Sequence, residues 1–342
     1  MATTGKGWTI SCHDAAQSLS HVLQTAALRR PRDETRGGQI GGHARGLAPT
    51  RLPRLYNPGP EVTVDEQLVP FRGRCPFRQY MPSKPAKYGI KSWVACDAKS
   101  SYAWKMQVYT GKPSGGRPER NQGMWVMLDV TEGLRGRNVT CDNYFTSYEL
   151  ARQLLERKIT VVGTVRKNKP ELPTGLLAVK GREVFSSRFA FTPTATLVSY
   201  IPKKNKNVVL LSMRHAEADV SNREDGKPVI VLDYNRNKGS VDNLDKVIGM
   251  YSCRRMTARW PLVVFHNILD VSSYNTFVIW REINPDWMPG KRNKRRVFLE
   301  QLGKTRDTVH RTKGAHPPHG SVRRGCEGCE SRRCRRRHTE SS

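Results

Sequence analysis

Long uninterrupted hydrophobic stretches are the first thing this sequence lacks. None of its apolar runs approaches the roughly 18 residues that a bilayer-spanning helix needs, so no membrane partner is expected. The opening Met-Ala-Thr-Thr-Gly-Lys-Gly-Trp also lacks the basic-then-apolar build of a secretory signal. No internal repeat is visible. Acids are scarce, with 30 Asp and Glu against 59 Lys and Arg in 342 residues, a formal charge of +29. The isoelectric point is about 10.2. Such an excess points to a polyanionic partner, and nucleic acid fits better than an acidic membrane because no basic amphipathic helix stands out. Cysteines lack a framework as well. Cys12, Cys75, Cys96, Cys141 and Cys253 show no disulfide spacing, which suits a reducing compartment.

Pattern is unevenly spread along the chain. Residues 1–54 are rich in Arg, Gly and Pro and read as disordered, apart from a short helical patch at Ala15–Leu28. Strands are expected at Val62–Val69, Ile90–Asp97, Tyr102–Tyr109, Asn138–Cys141 and Ile159–Val165. Met124–Val130 fits helix or strand equally, because a short apolar run does not separate the two. Ser147 is placed to cap a helix over Tyr148–Arg157. Residues 168–228 turn Lys- and Pro-rich with short alternating runs at Ala190–Phe191, Leu197–Tyr200 and Val208–Ser212, an inserted β-rich lobe. A further strand is expected at Val229–Tyr234. Ser240 is then expected to cap one helix, and Pro261 to open a long one over Leu262–Trp280. After Pro285 the chain reads as a basic, structureless tail. The core is thus divided into 55–167 and 229–285, with the insertion at 168–228 and the tail at 286–342.

Three aspartates lie in unlike contexts. Asp65 sits in Val-Thr-Val-Asp-Glu-Gln-Leu-Val, Asp142 in Asn-Val-Thr-Cys-Asp-Asn-Tyr-Phe, and Asp242 in Lys-Gly-Ser-Val-Asp-Asn-Leu-Asp, which also supplies Asp245. The first two fall on β-branched runs. Burying an unpaired carboxylate costs several kcal/mol, so acids on strands of a very basic chain call for neutralisation, hydrogen bonds or a metal. For any one of them a turn or edge position explains the residue as well. Together, on two strands and a helix start, they have the makings of a site for divalent cations that act on phosphodiesters. Asp245 falls on the same helix face as Asp242, either as a further ligand or as a solvated acid favoured by the helix dipole.

These residues also carry a resemblance. The segment from Val64-Asp65 through Phe71-Arg72-Gly73-Arg74-Cys75-Pro76-Phe77-Arg78 to Ser83-Lys84-Pro85-Ala86-Lys87-Tyr88-Gly89-Ile90-Lys91 resembles the start of the piggyBac transposase catalytic domain. So do the two later Asp motifs, Val-Gly-Thr-Val-Arg-Lys-Asn-Lys and Thr-Ala-Arg-Trp-Pro, in the same order from about Leu55 to Trp280. The resemblance implies an α/β, ribonuclease-H-like mixed sheet with an insertion before the third acid. It implies that Asp65, Asp142 and Asp242 are the catalytic triad and Asp245 an additional essential acid, holding two Mg²⁺ or Mn²⁺ ions. It also implies a nuclear, homodimeric enzyme that cuts double-stranded DNA at element ends and joins it at TTAA targets through hairpin intermediates. The segment before Leu55 does not resemble the family's N-terminal dimerisation and DNA-binding domain, so the chain reads as a truncated catalytic core, either one that keeps the strand-transfer chemistry or a domesticated DNA-binding protein without transposase activity.

Basic residues surround the acids. Arg72, Arg74 and Arg78, then Lys84, Lys87 and Lys91, then Arg166, Lys167 and Lys169, and finally Arg254, Arg255 and Arg259 suit phosphate contact, each one equally at home as a solvated charge. Trp260 fits either a base-stacking role or a packed helix start. The tail holds Cys326, Cys329, Cys334 and His338, four soft ligands that fit one Zn²⁺, or else a degenerate basic tail. Lys291-Arg292-Asn293-Lys294-Arg295-Arg296 reads as a nuclear-import run or a phosphate patch.

Overall fold

The computed structural model describes residues 52–111 and 121–314, with side chains through 304. The elements run α1 Leu52–Leu55, β1 Glu61–Pro70, β2 Gln79–Tyr80, β3 Tyr88–Asp97, β4 Ala103–Val108, α2 Gln122–Val130, β5 Asn138–Cys141, α3 Tyr148–Glu156 and β6 Thr160–Thr164. They continue with α4 Thr174–Leu177, β7 Ser187–Phe191, β8 Thr196–Lys203, β9 Lys206–Ser212, α5 Val229–Asn237, α6 Ser240–Met250, α7 Trp260–Ile283 and α8 Lys294–Gly314. All strands join one sheet in the order β2-β3-β1-β5-β6-β9-β8-β7, with β4 also on β3. Among the described strands only the β1–β5 and β5–β6 pairs are parallel. A meander of β1, β3 and β4 followed by two parallel strands is the expected ribonuclease-H-like arrangement.

β1 is the hub. Val62, Thr63 and Val64 are buried in succession, so both faces of the sheet are covered there, unlike a strand with one wet face. Val62 and Val64 belong to a large core with Met127 of α2, Leu150 and Leu154 of α3, Leu244 of α6 and Val271 of α7. The helix over Tyr148–Glu156 starts as expected, the Ser147 hydroxyl accepting from Leu150 N.

Several expectations change. Met124–Val130 resolves as part of α2. Val229–Tyr234, expected as a strand, belongs to helix α5. Its β-branched residues do not decide the matter, because Ile230 and Val231 pack onto Val162, Val198 and Leu210 of the sheet, and tertiary burial outweighs weak local propensity. Ser240 is the first residue of α6 rather than its cap; Gly239 holds the cap position and supplies no side-chain bond. The stretch expected as a lobe contributes strands that extend the central sheet, because β9 pairs with β6. Leu52, in the segment expected as disordered, is buried in α1. α7 has the length and average apolarity to cross a membrane although polar residues break its apolar runs; 56% of its most apolar stretch is buried inside the fold, as befits a core helix.

The tail after Pro285 is the largest correction. α8 docks on α7 through Phe298, which is 2% exposed, with its ring 5.5 Å from Phe277 and 6.0 Å from Trp280. Its basic neighbours had hidden the apolar pattern. Arg295, from the run read as an import or phosphate patch, turns inward between the rings of Tyr251 and Tyr274 and donates to Val247 O near the C-terminal end of α6. A cation there complements both the free carbonyls and the dipole of the helix that carries Asp242 and Asp245. Phe298→Ala is therefore expected to destabilise the protein by about 3 kcal/mol in urea unfolding. A loss below about 0.5 kcal/mol would show that α8 is not part of the cooperative fold.

Candidate functional site

The parallel register of β1 and β5 sets the site. Its last pair is Val64 with Cys141, and one further step places Asp65 beside Asp142. β5 stops at Cys141 while β1 continues to Pro70, so beyond Val64 that edge of β1 has no strand partner. Asp65 Oδ1 accepts from Glu66 N at 2.8 Å. Asp142 opens a tight loop, its Oδ1 accepting from Tyr144 N at 2.9 Å and its carbonyl from the Thr146 hydroxyl at 2.8 Å. Gly163 of β6 lies beneath this loop. A Cβ there would come within 2.2 Å of Thr146 Oγ1 and 2.8 Å of Cys141 O, so the close approach requires glycine.

One carboxylate oxygen each of Asp65, Glu66 and Asp142 lie within 4.8 Å of one another, a group of donors close enough to share one metal ion. Glu66 was missed in the sequence because adjacent strand residues alternate faces. At the uncovered edge of β1 the longer glutamate reaches the same place. Crowding and burial act on protonation together. Asp65 is pushed from 3.8 up to about 8, first by burial and then by the hydrogen bond and charge of Glu66. Burial also raises Asp142. Oxygen-only donors with destabilised charges fit a hard divalent cation.

The helix acids are placed differently. Asp245 Oδ1 accepts from Gln67 Nε2 at 2.6 Å, and Gln67 Oε1 accepts from Asn267 Nδ2 at 2.9 Å. Gln67 is buried, so this chain of amides ties β1, α6 and α7 beside the acids. Burial raises Asp245 to about 6 even though the Gln67 bond pulls it down. Asp242, in the first turn of α6, lies outside the close trio and pairs with Lys84 at 3.1 Å.

The cations expected to contact phosphate divide into two sets. Lys91 lies over the rings of Trp93 and Tyr144 at 5.3 and 4.9 Å, and burial lowers its pKa despite the charges of Glu66, Asp142 and Asp65. Arg166 also stands over the Tyr144 ring, at 5.6 Å, and donates to Asn143. Arg254 donates to Pro70 O, and Arg78 to the carbonyls of Arg72 and Gly73. Arg72, Arg74, Lys87, Lys167, Arg255 and Arg259 are exposed, while Lys169 is half-buried. Trp260 packs edge-on against Phe77, 4.9 Å between centroids, in a small cluster with Val69 and Ile90. Cys326, Cys329, Cys334 and His338 lie outside the described residues.

The same region carries the likeness to known proteins. Residues 50–277 match the family model described as Transposase IS4. Over 264 residues the chain is 23% identical to PiggyBac transposable element-derived protein 3 of Homo sapiens, a match covering 70% of this chain and 44% of that protein. The Chimeric ERCC6-PGBD3 protein of Homo sapiens matches with the same identity over 25% of its length. A cryo-EM structure of a piggyBac transposase synaptic complex with hairpin DNA superposes with a TM-score of 0.68 at 37% identity, covering 77% of this chain and 55% of the other. The chain therefore spans about half, or less, of the relatives it matches.

The geometry has two measurable consequences. Removing the Gln67 amide leaves Asn267 and Asp245 without their buried partner, so Gln67→Ala is expected to cost about 1–3 kcal/mol in denaturant unfolding. Wild-type stability would assign the Asp245 contact no structural weight. Asp65 binds its proton more tightly folded (about 8) than unfolded (3.8), so the stability it contributes is present below the unfolded value and lost as pH rises through the folded one. With EDTA present, the melting temperature should fall between about pH 4 and pH 8 on this account. Asp65→Asn should flatten the upper half of that fall, and an unchanged slope would contradict the burial of a titrating Asp65.

Proposed function

The chain belongs to the Transposase IS4 family, in its piggyBac-type branch, and from that premise we propose that it carries out metal-dependent cleavage and joining of double-stranded DNA. The observation that supports this most is the convergence of Asp65, Glu66 and Asp142 at the open edge of β1, within 4.8 Å. The family implies a divalent metal, and the donor set fits one. Asp65 and Asp142 would hold it with Glu66 at hand, and Asp242 and Asp245 would complete the site from α6. Bound there, one or two Mg²⁺ or Mn²⁺ ions supply the charge that activates an attacking oxygen and steadies a leaving one.

The protein's own residues position the reactants. The hydrogen-bonded turn after Asp142 and the Gln67–Asn267 amides keep the carboxylates from drifting, which is most of what phosphoryl transfer asks of its scaffold. Arg166 and Lys91 both place positive charge over the Tyr144 ring, near Asp142, where a backbone phosphate is to be held. The exposed Arg72, Arg74, Lys87, Lys167, Arg255 and Arg259 add a sequence-neutral, salt-sensitive attraction. A protein that merely bound DNA would leave the buried, destabilised acids without a purpose. Action as a homodimer, residence in the nucleus and the status of residues 168–228 as an insertion are part of the same reading.

Thermal melting and plasmid nicking test it. Mn²⁺ at 100-fold above its Kd should stabilise the chain by about 2.7 kcal/mol, raising the melting temperature by a few degrees. Asp142→Asn should raise stability in EDTA and remove the response. Asp97 accepts from Gly59 N and Ser100 N away from the trio, so Asp97→Asn should retain the response. Supercoiled plasmid should be nicked with Mn²⁺ by the wild type and not by Asp142→Ala. Equal nicking by both, or a melting temperature indifferent to Mn²⁺, would remove the basis of the proposal.

A further inference from the structure

Lys84 is the residue whose position the chemistry above leaves unused. It belongs to the Pro-rich connection between β2 and β3, and its side chain is 17% exposed while that of its partner Asp242 is 69% exposed. Its ammonium donates to Glu66 O at 3.1 Å and to Asp242 Oδ1 at 3.1 Å. It is therefore wedged between the acidic segment of β1 and the acidic first turn of α6. Burial alone would lower its pKa, but the Asp242 bond and the charges of Asp242, Asp65 and Asp245 outweigh burial and raise it. A mostly buried ammonium needs such partners, because withdrawing it from water unpaired is costly. The exposed Asp242 has no comparable need.

A divalent cation drawn to Asp65, Glu66 and Asp142 meets this ammonium on the Asp242 side. A dication and an ammonium on one carboxylate repel each other at short range, where little water screens them. Resting on the metal reading above, we propose that Lys84 is an internal counter-cation of the acid site. It holds Asp242 until a divalent cation takes that carboxylate, and it sets how much cation the site requires. Filling the site frees the ammonium. The opposite role, a brace that prepares Asp242 for the metal, predicts the reverse effect on affinity.

Two measurements on the full chain decide between them. Mn²⁺ is titrated calorimetrically into DNA-free protein that has been stripped with EDTA and dialysed. Lys84→Gln is expected to bind Mn²⁺ more tightly, on the order of tenfold, and to melt lower than wild type before Mn²⁺ is added. Lys84→Arg keeps the charge and should bind as wild type does, and so should Lys99→Gln, at an exposed turn between β3 and β4. In an Asp242→Asn background the gain from Lys84→Gln should largely vanish. The second measurement needs no variant: amine acylation mapped by mass spectrometry should label Lys84 several-fold faster once Mn²⁺ is added, with Lys99 unaffected. Mn²⁺ binding that is unchanged or weaker in folded Lys84→Gln, or Lys84 labelling that does not accelerate in wild type, overturns the counter-cation. Absence of any Mn²⁺ heat in wild type instead overturns the metal reading on which it rests.

Discussion

Crowded carboxylates constrain everything else in this molecule. Asp65, Glu66 and Asp142 share one end of the sheet within 4.8 Å, and Asp65 holds its proton up to about 8. An arrangement of this kind costs free energy unless positive charge is brought to it. The surrounding structure answers in two ways, by making the backbone under the acids rigid and by stationing cations at the rim. Lys84, Lys91 and Arg166 do the second, each anchored by a bond or an aromatic face rather than left to solvent.

Rigidity comes from packing that would be unremarked away from the acids. The β1–β5 register puts two of them side by side, and only a glycine at position 163 lets β6 approach closely enough to support the turn after Asp142. On the far side, α6 is held at several places. Gln67 grips Asp245, Leu244 enters the main core, and Arg295 meets the Val247 carbonyl from α8. α5 is tied down just before α6 begins, because Asn237 O accepts from Thr63 and its amide donates to Glu61. The third and fourth acids thus depend on contacts spread over most of the chain. The long stretch between the second and third acids serves the same end: its strands finish the sheet on which α5 packs.

Much of this was legible in the sequence, and the parts that were not share a cause. Alternation and β-branching located β1, β3 and β5, and the hydroxyl of Ser147 announced α3. Local pattern failed where tertiary contact overrode it. Val229–Tyr234 looks like a strand until the sheet beneath Ile230 and Val231 is known, and α8 looks like a solvated tail until Phe298 meets Phe277 and Trp280. At the site, Asp65 and Asp142 were visible, since acids on apolar strands are anomalous one by one. Glu66 was not, because its recruitment depends on β5 ending early. Asp242 was visible as an acid opening a helix, but its pairing with Lys84 joins residues far apart in sequence, and no spacing rule reports such a pair.

The overall charge and the site charge stand in opposition, and that opposition carries functional meaning. A chain of +29 attracts polyanions, yet under the proposed function the atoms that would act on one are acids that repel phosphate. Attraction over the wider surface would bring DNA near but could not seat a phosphate among carboxylates. Only added positive charge at the acids removes that local barrier, and lysine and dication differ in how they supply it. Lys84 delivers one charge on a tether, enough to keep Asp242 in place but not to offset the whole group. A divalent cation delivers two at the point where the oxygens converge. On the proposed function, neutralising the acids and admitting the phosphate would be one event, and the site would turn attractive to DNA only when it is also equipped to act on it.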